Sequence, residues 1–255
     1  MTFASPSGLE ARRVGVLADV HGNATALAAV LAELERESPD LLVHCGDLTW
    51  GPEPRETLAL LEPWASRLHC VRGNADRKLV ELADGSSAEL TPREAWMVER
   101  HGRAGYEVLA RFPQQVVIEI DRIGRADFCH GSPRSDEECI TAETPVDRLR
   151  EALAGIDAEV VVSAHTHLQY ERSALSKRLL NPGSVGMPYE DERGAYWALL
   201  GPVVEFRRTE YDLDAAVARY RASGDPSTDR MVELLLSPPT SAEVIEDAES
   251  RVFAG

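Results

Sequence analysis

Residues 14–47, VGVLADVHGNATALAAVLAELERESPDLLVHCGD, read as strand, helix and strand, with a short polar turn closing each strand. Val14 to Ala18 is a brief apolar run of the kind that suits a strand buried on both faces. Asn23 to Arg36 repeats Ala and Leu at helical spacing, and Leu41 to Cys45 is a second buried strand. The rhythm continues past a Gly-Pro-Glu-Pro turn at 51–54, with a short helix from Arg55 to Leu61, a strand from Leu68 to Arg72 and a helix from Asp76 to Ala83. A β-α-β-α-β order implies parallel strands joined by right-handed crossovers.

The middle of the chain changes character. Thr91-Pro92-Arg93-Glu94 combines an N-cap Thr, a Pro at the first helical position and a Glu at the third, which starts a helix over roughly Thr91 to Ala110. Residues 84–112 therefore read as a helical insertion over the sheet edge or the site, serving as a lid or a dimer contact. Gln115 to Asp121 and Arg125 to Cys129 read as a hairpin, and Glu159 to Ser163 as a further strand. Lys177 to Leu180, Ala195 to Leu200 and Val203 to Arg208 read as antiparallel strands. Residues 1–13 are read as a flexible leader, 14–236 as the folded domain and 237–255 as an acidic C-terminal tail that could form a loose helix.

Composition narrows the function classes. Of 255 residues, 44% are apolar, enough for a sizeable core. Forty-three acidic side chains against 27 basic ones leave a net charge of −16, which disfavours a stable complex with nucleic acid or with anionic lipid. The four cysteines, at 45, 70, 129 and 139, form no Cys-x-x-Cys pair and read as buried thiols of a cytoplasmic protein. No apolar run reaches the length of a membrane span. Oligomeric state is left open, a homo-oligomer included.

The polar residues are concentrated at strand ends: Asp19-Val20-His21 after the first, Gly46-Asp47 after the second, Gly73-Asn74 after the third, and later His130-Gly131 and His165-Thr166-His167. In parallel α/β sheets the carboxyl ends of strands line the ligand crevice, so these groups share one rim. Extended backbone would point Asp19 and His21 to one side, and likewise His165 and His167. Mixed imidazole and carboxylate donors favour manganese, iron, zinc or nickel over calcium. Glycines at 22, 46, 73 and 131 allow tight turns beside the ions. His44 reads as a satisfied core histidine, and His69 and His101 as structural or surface residues.

The ordered set Asp-x-His, Gly-Asp, Gly-Asn, His-Gly and Ala-His-x-His resembles the calcineurin-like metallophosphoesterases. Flanking words such as GDLTWGPEP, VRGNAD, CHGSPR and NPGSVGMP are similar to a bacterial and archaeal branch described as phosphodiesterases or diadenosine-tetraphosphatase relatives. The resemblance runs from about Val14 to Arg208. It implies a four-layer α/β/β/α sandwich with mixed sheets and a dimetal site at the strand ends. It also implies two divalent transition-metal ions, manganese first, with iron, zinc or nickel as alternatives. Asp19, His21 and His167 would hold one ion, Asn74, His130 and His165 the other, and Asp47 would bridge both. Asp47, Asn74 and His130 would serve catalysis, with a hydroxide shared by the cations attacking a phosphodiester or nucleotide-type ester. Arg134 and Asn181 are the candidate substrate contacts, for a small-molecule phosphoester or nucleotide.

The sequence departs from the family pattern at Ala75, where many members place a histidine that protonates the leaving group. Trp50 stands where this branch often has Tyr. The signature of the protein Ser/Thr phosphatases is absent. The competing reading is a non-catalytic, metal-bound scaffold on the same fold; the seven filled ligand positions favour an enzyme.

Overall fold

In the computed structural model, which describes residues 8–86 and 89–251, eleven strands form two mixed sheets. In the first sheet β2 (Val14–Leu17), β3 (Leu41–His44) and β4 (Leu68–Cys70) run parallel. The antiparallel strands β10 (Ala195–Leu200) and β11 (Val204–Thr209) extend it beyond β2. The second sheet has the order β1 (Leu9–Ala11), β5 (Val116–Ile120), β6 (Gly124–Phe128), β7 (Val160–Val162), β9 (Lys177–Pro182), β8 (Gln169–Ala174).

Side-chain alternation along these strands sorts the core into layers. Val14, Val16 and Val43 of the first sheet meet Ile118, Phe128, Val160 and Leu180 of the second, forming the cluster between the sheets. Each such fully buried side chain contributes about 1.5–3 kcal/mol of transfer free energy. The opposite face of the first sheet, with Leu17, Leu42, Leu68 and Trp197, is covered by helices. These are α1 (Ala24–Glu37), α2 (Pro54–Leu61), α3 (Asn74–Ala83) and α4 (Pro92–Leu109). The outer face of the second sheet packs Cys129, Val161 and Leu179 against Leu149 and Ala152 of α5 (Val146–Ala152). The result is the four-layer α/β/β/α sandwich. The helices α6 (Leu213–Ser223) and α7 (Thr228–Leu236) share a smaller cluster, and α8 (Ser241–Ser250) ends the described chain.

Local chemistry explains the helix starts. Asn23 caps α1 by accepting the Ala26 N–H at 3.0 Å. Thr91 and Glu94 cap α4 reciprocally, as their spacing predicts. That helix is kinked at Gly102, whose φ of 62° is left-handed.

One boundary expectation changes, and the structure gives the other two segments their surroundings. Residues 9–11 are not part of a flexible leader: β1 pairs in parallel with β5, with Leu9 opposite Ile118. The short alternation of Leu9 and Ala11 was too brief to read as a strand. Residues 1–7 of the expected leader lie outside the described residues. The helical insertion is part of the helical layer on the first sheet, with Met97, His101 and Leu109 buried against α2 and α3. The C-terminal segment forms α8 and docks on the domain: Glu249 accepts from Thr141 Oγ1 and Thr144 Oγ1 at 2.6 Å and from Arg148 at 2.8 Å. No described helix is long and apolar enough to cross a membrane.

Candidate metal centre

The strand-end loops lie side by side and are stitched through their backbones. The Asp19 N–H donates to the Gly46 carbonyl at 3.0 Å and the His21 N–H to the Asp47 carbonyl at 3.0 Å. The Gly186 N–H reaches the Asp19 carbonyl at 3.1 Å, and the Ala164 N–H reaches the His130 carbonyl at 2.6 Å. Ser184 Oγ adds a bond to the Asp19 carbonyl at 2.8 Å. These bonds lock the loops to one another and so fix the side chains they carry.

The backbone at these positions is not extended, as the Asp-x-His and His-x-His spacing suggested. Asp19, His21, Asp47, His165 and His167 all have φ between 47° and 66°. Asp and His are among the non-glycine residues that tolerate this region best, yet each such conformation costs about 1–3 kcal/mol. Paired residues reach a common side here because both turn left-handed, not because the chain is a strand. Gly46, with φ of 94°, marks a close approach of two loops: a Cβ there would lie 2.6 Å from His130 Nδ1 and 2.7 Å from Gly73 Cα.

All seven residues named from the sequence as metal ligands converge. Asp19, His21 and His167 form one group of potential ligands, and Asp47, His130 and His165 a second, with the ligand atoms of each group within 4.8 Å of one another. Asn74 joins the second group, its Oδ1 lying 3.0 Å from His130 Nε2. Asp47 faces both: Oδ2 is 3.7 Å from His21 Nε2, and Oδ1 is 3.5 Å from His130 Nε2.

The outward ring nitrogens are fixed by carbonyls. His21 Nδ1 donates to Trp50 O at 3.3 Å, His130 Nδ1 to Cys45 O at 2.7 Å and His167 Nδ1 to Met187 O at 2.6 Å. That leaves Nε2 of each ring as the nitrogen facing the other ligand-type residues, the arrangement metal-binding histidines require. Tyr189 stacks on the His167 ring at 4.8 Å and 15° and holds its plane.

Burial and charge set the proton affinities. Burial opposes ionisation of Asp19, but His167, with further help from His130 and His21, outweighs it and draws the carboxyl below its ordinary range. Burial also opposes protonation of His167, yet Asp19 and the Met187 carbonyl raise it above an ordinary imidazole. His130 is raised likewise, against burial, by Asp47 and Asp19. His165 is pushed down to about 4 by burial and by His130, and His21 is lowered chiefly by burial.

The residue pattern that organises these loops is matched by the family model of the calcineurin-like phosphoesterase superfamily domain over residues 13–200. The chain belongs to the calcineurin-like phosphoesterase superfamily. A relative described as a probable metallophosphoesterase, from Methanothermobacter thermautotrophicus, is 27% identical over 179 residues, covering 69% of this chain and 78% of that protein. A hypothetical protein of Pyrococcus horikoshii superposes with a TM-score of 0.74 at 23% identity, covering 90% of this chain and 99% of that one. A metallophosphoesterase from Sphaerobacter thermophilus superposes with a TM-score of 0.71 at 24% identity, covering 89% and 99%. Superfamily membership and the two ligand groups together point to divalent metal ions and to phosphoester hydrolysis in general.

Two expected substrate contacts fare differently from the ligands. Asn181 is fully buried, and its side chain is committed to neighbouring loops. Its amide donates to Ala164 O at 3.0 Å and Thr166 Oγ1 at 3.1 Å, and its oxygen accepts the Gly183 N–H at 2.9 Å. It holds the loop that carries His165 and His167. Arg134 forks onto Glu138 at 2.9 and 2.6 Å, so its guanidinium is already engaged by a carboxylate.

Sequence reading also missed residues. Asp76 is buried under the loops and accepts the N–H groups of Asp47, Leu48 and Gly73 at 2.9, 3.1 and 3.0 Å. Burial and the charge of Asp47 raise its carboxyl to about 7. Its position at the third residue of α3 was the available signal. His44 is buried, accepts the Gly46 N–H at 3.2 Å and is held neutral, near 3, chiefly by burial. Its Nε2 has no partner among the described residues, so it is only half satisfied. His101 is a buried strut, joining Met97 O at 2.7 Å to Thr49 Oγ1 at 2.8 Å behind the Asp47 loop. Trp50 packs against the helical cluster, with the Lys78 ammonium 5.3 Å from its ring centre.

Proposed function

We propose that the protein is a dinuclear metal-dependent phosphoesterase that hydrolyses phosphodiester or nucleotide-type phosphoester bonds of small molecules. The observation that carries this reading is Asp47, whose two carboxylate oxygens face the two ligand groups separately. Two features of the chain fit cations there. Asp19 Oδ1 is buried without a hydrogen-bond partner among the described residues, 3.4 Å from His167 Nε2. His21 Nε2 and His167 Nε2 face each other at 3.2 Å with their Nδ1 protons already committed to carbonyls, so both direct their metal-binding nitrogen to one space.

In this reading Asp19, His21 and His167 hold one ion, Asn74, His130 and His165 hold the other, and Asp47 bridges. Manganese fits the mixed donors, as do iron, zinc and nickel. When bound, the ions acidify water and offset phosphoryl charge. The chain's own contribution is to fix the donors on strained loops and, for His21, His130 and His167, to commit Nδ1 to a carbonyl so that Nε2 is the atom offered to an ion. The net charge of −16 argues against a stable nucleic-acid complex, and the four free, buried cysteines fit a cytoplasmic setting.

The test is elemental analysis of manganese-replete protein together with turnover of p-nitrophenyl phosphate and bis(p-nitrophenyl) phosphate. Two ions per chain and metal-dependent hydrolysis that Asp47→Asn abolishes are expected. Two bound ions with no hydrolysis of any phosphoester would instead favour a metal-bound scaffold, and no more than one ion would overturn the dinuclear reading.

A further inference from the structure

The second ligand group is assembled across the two sheets. Asn74 opens α3, in the helical layer on the first sheet, whereas His130 follows β6 of the second. Their side chains meet at 3.0 Å, Asn74 Oδ1 against His130 Nε2. Arg77, one turn along α3 from Asn74, crosses the same seam. Its Nε and one terminal nitrogen donate to the two oxygens of Asp136, at 2.8 and 3.1 Å, on the loop that carries His130. The same terminal nitrogen pairs with Glu137, and the other is held back on α3 by Glu81 at 3.1 Å. All three nitrogens of Arg77 are thus committed to carboxylates of the chain itself. Asp136 is buried, which opposes its ionisation, but Arg77, with help from Arg72 and His130, draws the carboxyl below its ordinary range. A planar fork closed on a buried carboxylate fixes orientation as well as distance, which a single contact between point charges does not.

We propose that Arg77 and Asp136 are positioning residues of the second ligand group: their clasp sets the spacing of Asn74 and His130, and with it the affinity of that group for its ion. This rests on the function proposed above and names the contact that makes the centre dinuclear. The first group has separate ties. Asp19 is held through its carbonyl by Gly186 and Ser184, and His167 through Nδ1 by Met187. Loss of the clasp therefore acts on one ion and spares the other. The sign of the effect separates a clasp from a simple charge. Arg77 is a cation near a cation site, so by Coulomb's law its removal alone would tighten metal binding. Loss of a clasp weakens it instead. Arg77→Lys keeps the charge and loses the fork, so charge alone predicts no change there, whereas the clasp predicts weaker binding.

The experiment titrates metal-free wild-type, Arg77→Ala and Arg77→Lys protein with manganese and follows free and bound ion by electron paramagnetic resonance. In wild type, two ions and the exchange-coupled signal of a manganese pair are expected. In Arg77→Ala one binding step weakens by roughly tenfold or more, the other stays within about twofold, and at limiting metal the signal is that of single ions. Arg77→Lys falls between and serves if the alanine variant does not fold. Two further variants assign the affected step. Adding Arg77→Ala to Asp19→Ala weakens the one ion that remains, and adding it to His165→Ala leaves the remaining ion unchanged. Unchanged or tighter binding of both ions in Arg77→Lys or Arg77→Ala would overturn the proposal, as would equal weakening of both steps. A wild-type protein with no more than one ion would overturn this assignment and the dinuclear reading together. Two ions in wild type, one of them lost with the clasp, but no hydrolysis of any phosphoester would leave this assignment standing and defeat the enzymatic one.

Discussion

The Asp76 carboxylate accepts the backbone N–H of Asp47 at 2.9 Å and, through the same oxygen, the N–H of Gly73 at 3.0 Å. It thereby joins the loop after β3 to the loop after β4 beneath the ligands. Asp76→Ala leaves three buried N–H groups without an acceptor, at about 1–3 kcal/mol each. Thermal melts are expected to show clear destabilisation and a smaller manganese-induced rise in Tm, with Asp76→Asn, which keeps one acceptor oxygen, closer to wild type. A manganese-induced rise in Asp76→Ala equal to that of wild type would show that the carboxylate does not position Asp47.

Asp47 is placed to serve both ligand groups, whereas Asp19 belongs to one. Asp47→Ala is therefore expected to lower bound metal toward none, and Asp19→Ala to leave about one ion per chain under the same loading. Elemental analysis after gel filtration decides it. One ion retained in both variants would remove the bridging role from Asp47.

Gly46 is a backbone position of the centre with no room for a side chain: its φ of 94° is left-handed, and a Cβ would lie 2.6 Å from His130 Nδ1. Gly46→Ala is expected to displace His130 or break its bond to Cys45 O, weakening metal binding by at least roughly tenfold while the sheets persist. Circular dichroism and metal titration, read together, check this. Wild-type metal affinity in a folded Gly46→Ala protein would contradict it.

The layered fold was legible in the sequence because its strands are uniform apolar runs and its first helices have amphipathic spacing, as in Val14 to Ala18 and Asn23 to Arg36. β8 and β1 were not. Gln169–Ala174 is an edge strand whose residues are all polar or small, and Leu9–Ala11 gains its order from pairing with β5. The convergence of the histidines and carboxylates was legible because each stands at a strand end. Their left-handed backbone was not, since spacing alone cannot distinguish an extended pair from a doubly left-handed one. The roles of Asn181 and Asp76 depend on backbone N–H and carbonyl groups brought from other loops, which leave no mark in the order of residues.

Proton competition gives a signed pH dependence. His130 and His167 are raised above the ordinary imidazole value of about 6.5. In the metal-free chain their pairing with Asp47 and Asp19 contributes stability that is fully present below that value and is lost as pH rises through the raised values. His21 and His165 are lowered and already neutral near pH 7. Metal uptake needs all four imidazoles neutral, so it is expected to release up to about two protons below the raised values and to weaken as pH falls through them. Calorimetric titration of manganese in two buffers of different ionisation enthalpy at pH 6.5 measures the release. Enthalpies independent of buffer would mean that His130 and His167 hold no extra protons.

Ala75 is nearly buried at the first turn of α3, where its N–H donates to Asp47 Oδ1 at 2.9 Å. Its methyl group cannot donate a proton, whereas a positioned acid at a departing oxygen typically contributes about 10²–10⁴-fold. Asp76, the adjacent carboxyl, faces backbone N–H groups on both oxygens and is spent on the loops. Cleavage is therefore expected to depend steeply on leaving-group acidity, with aryl diesters and phosphate leaving groups cut far faster than alkyl esters. A plot of log kcat/KM against leaving-group pKa for diesters of matched size is expected to have a strong negative slope. Ala75→His should flatten it by restoring activity toward the more basic leaving groups. A flat plot for the wild type, with the chemical step shown to limit the rate, would mean that another residue already protonates the leaving oxygen. In that case Ala75→His would change little.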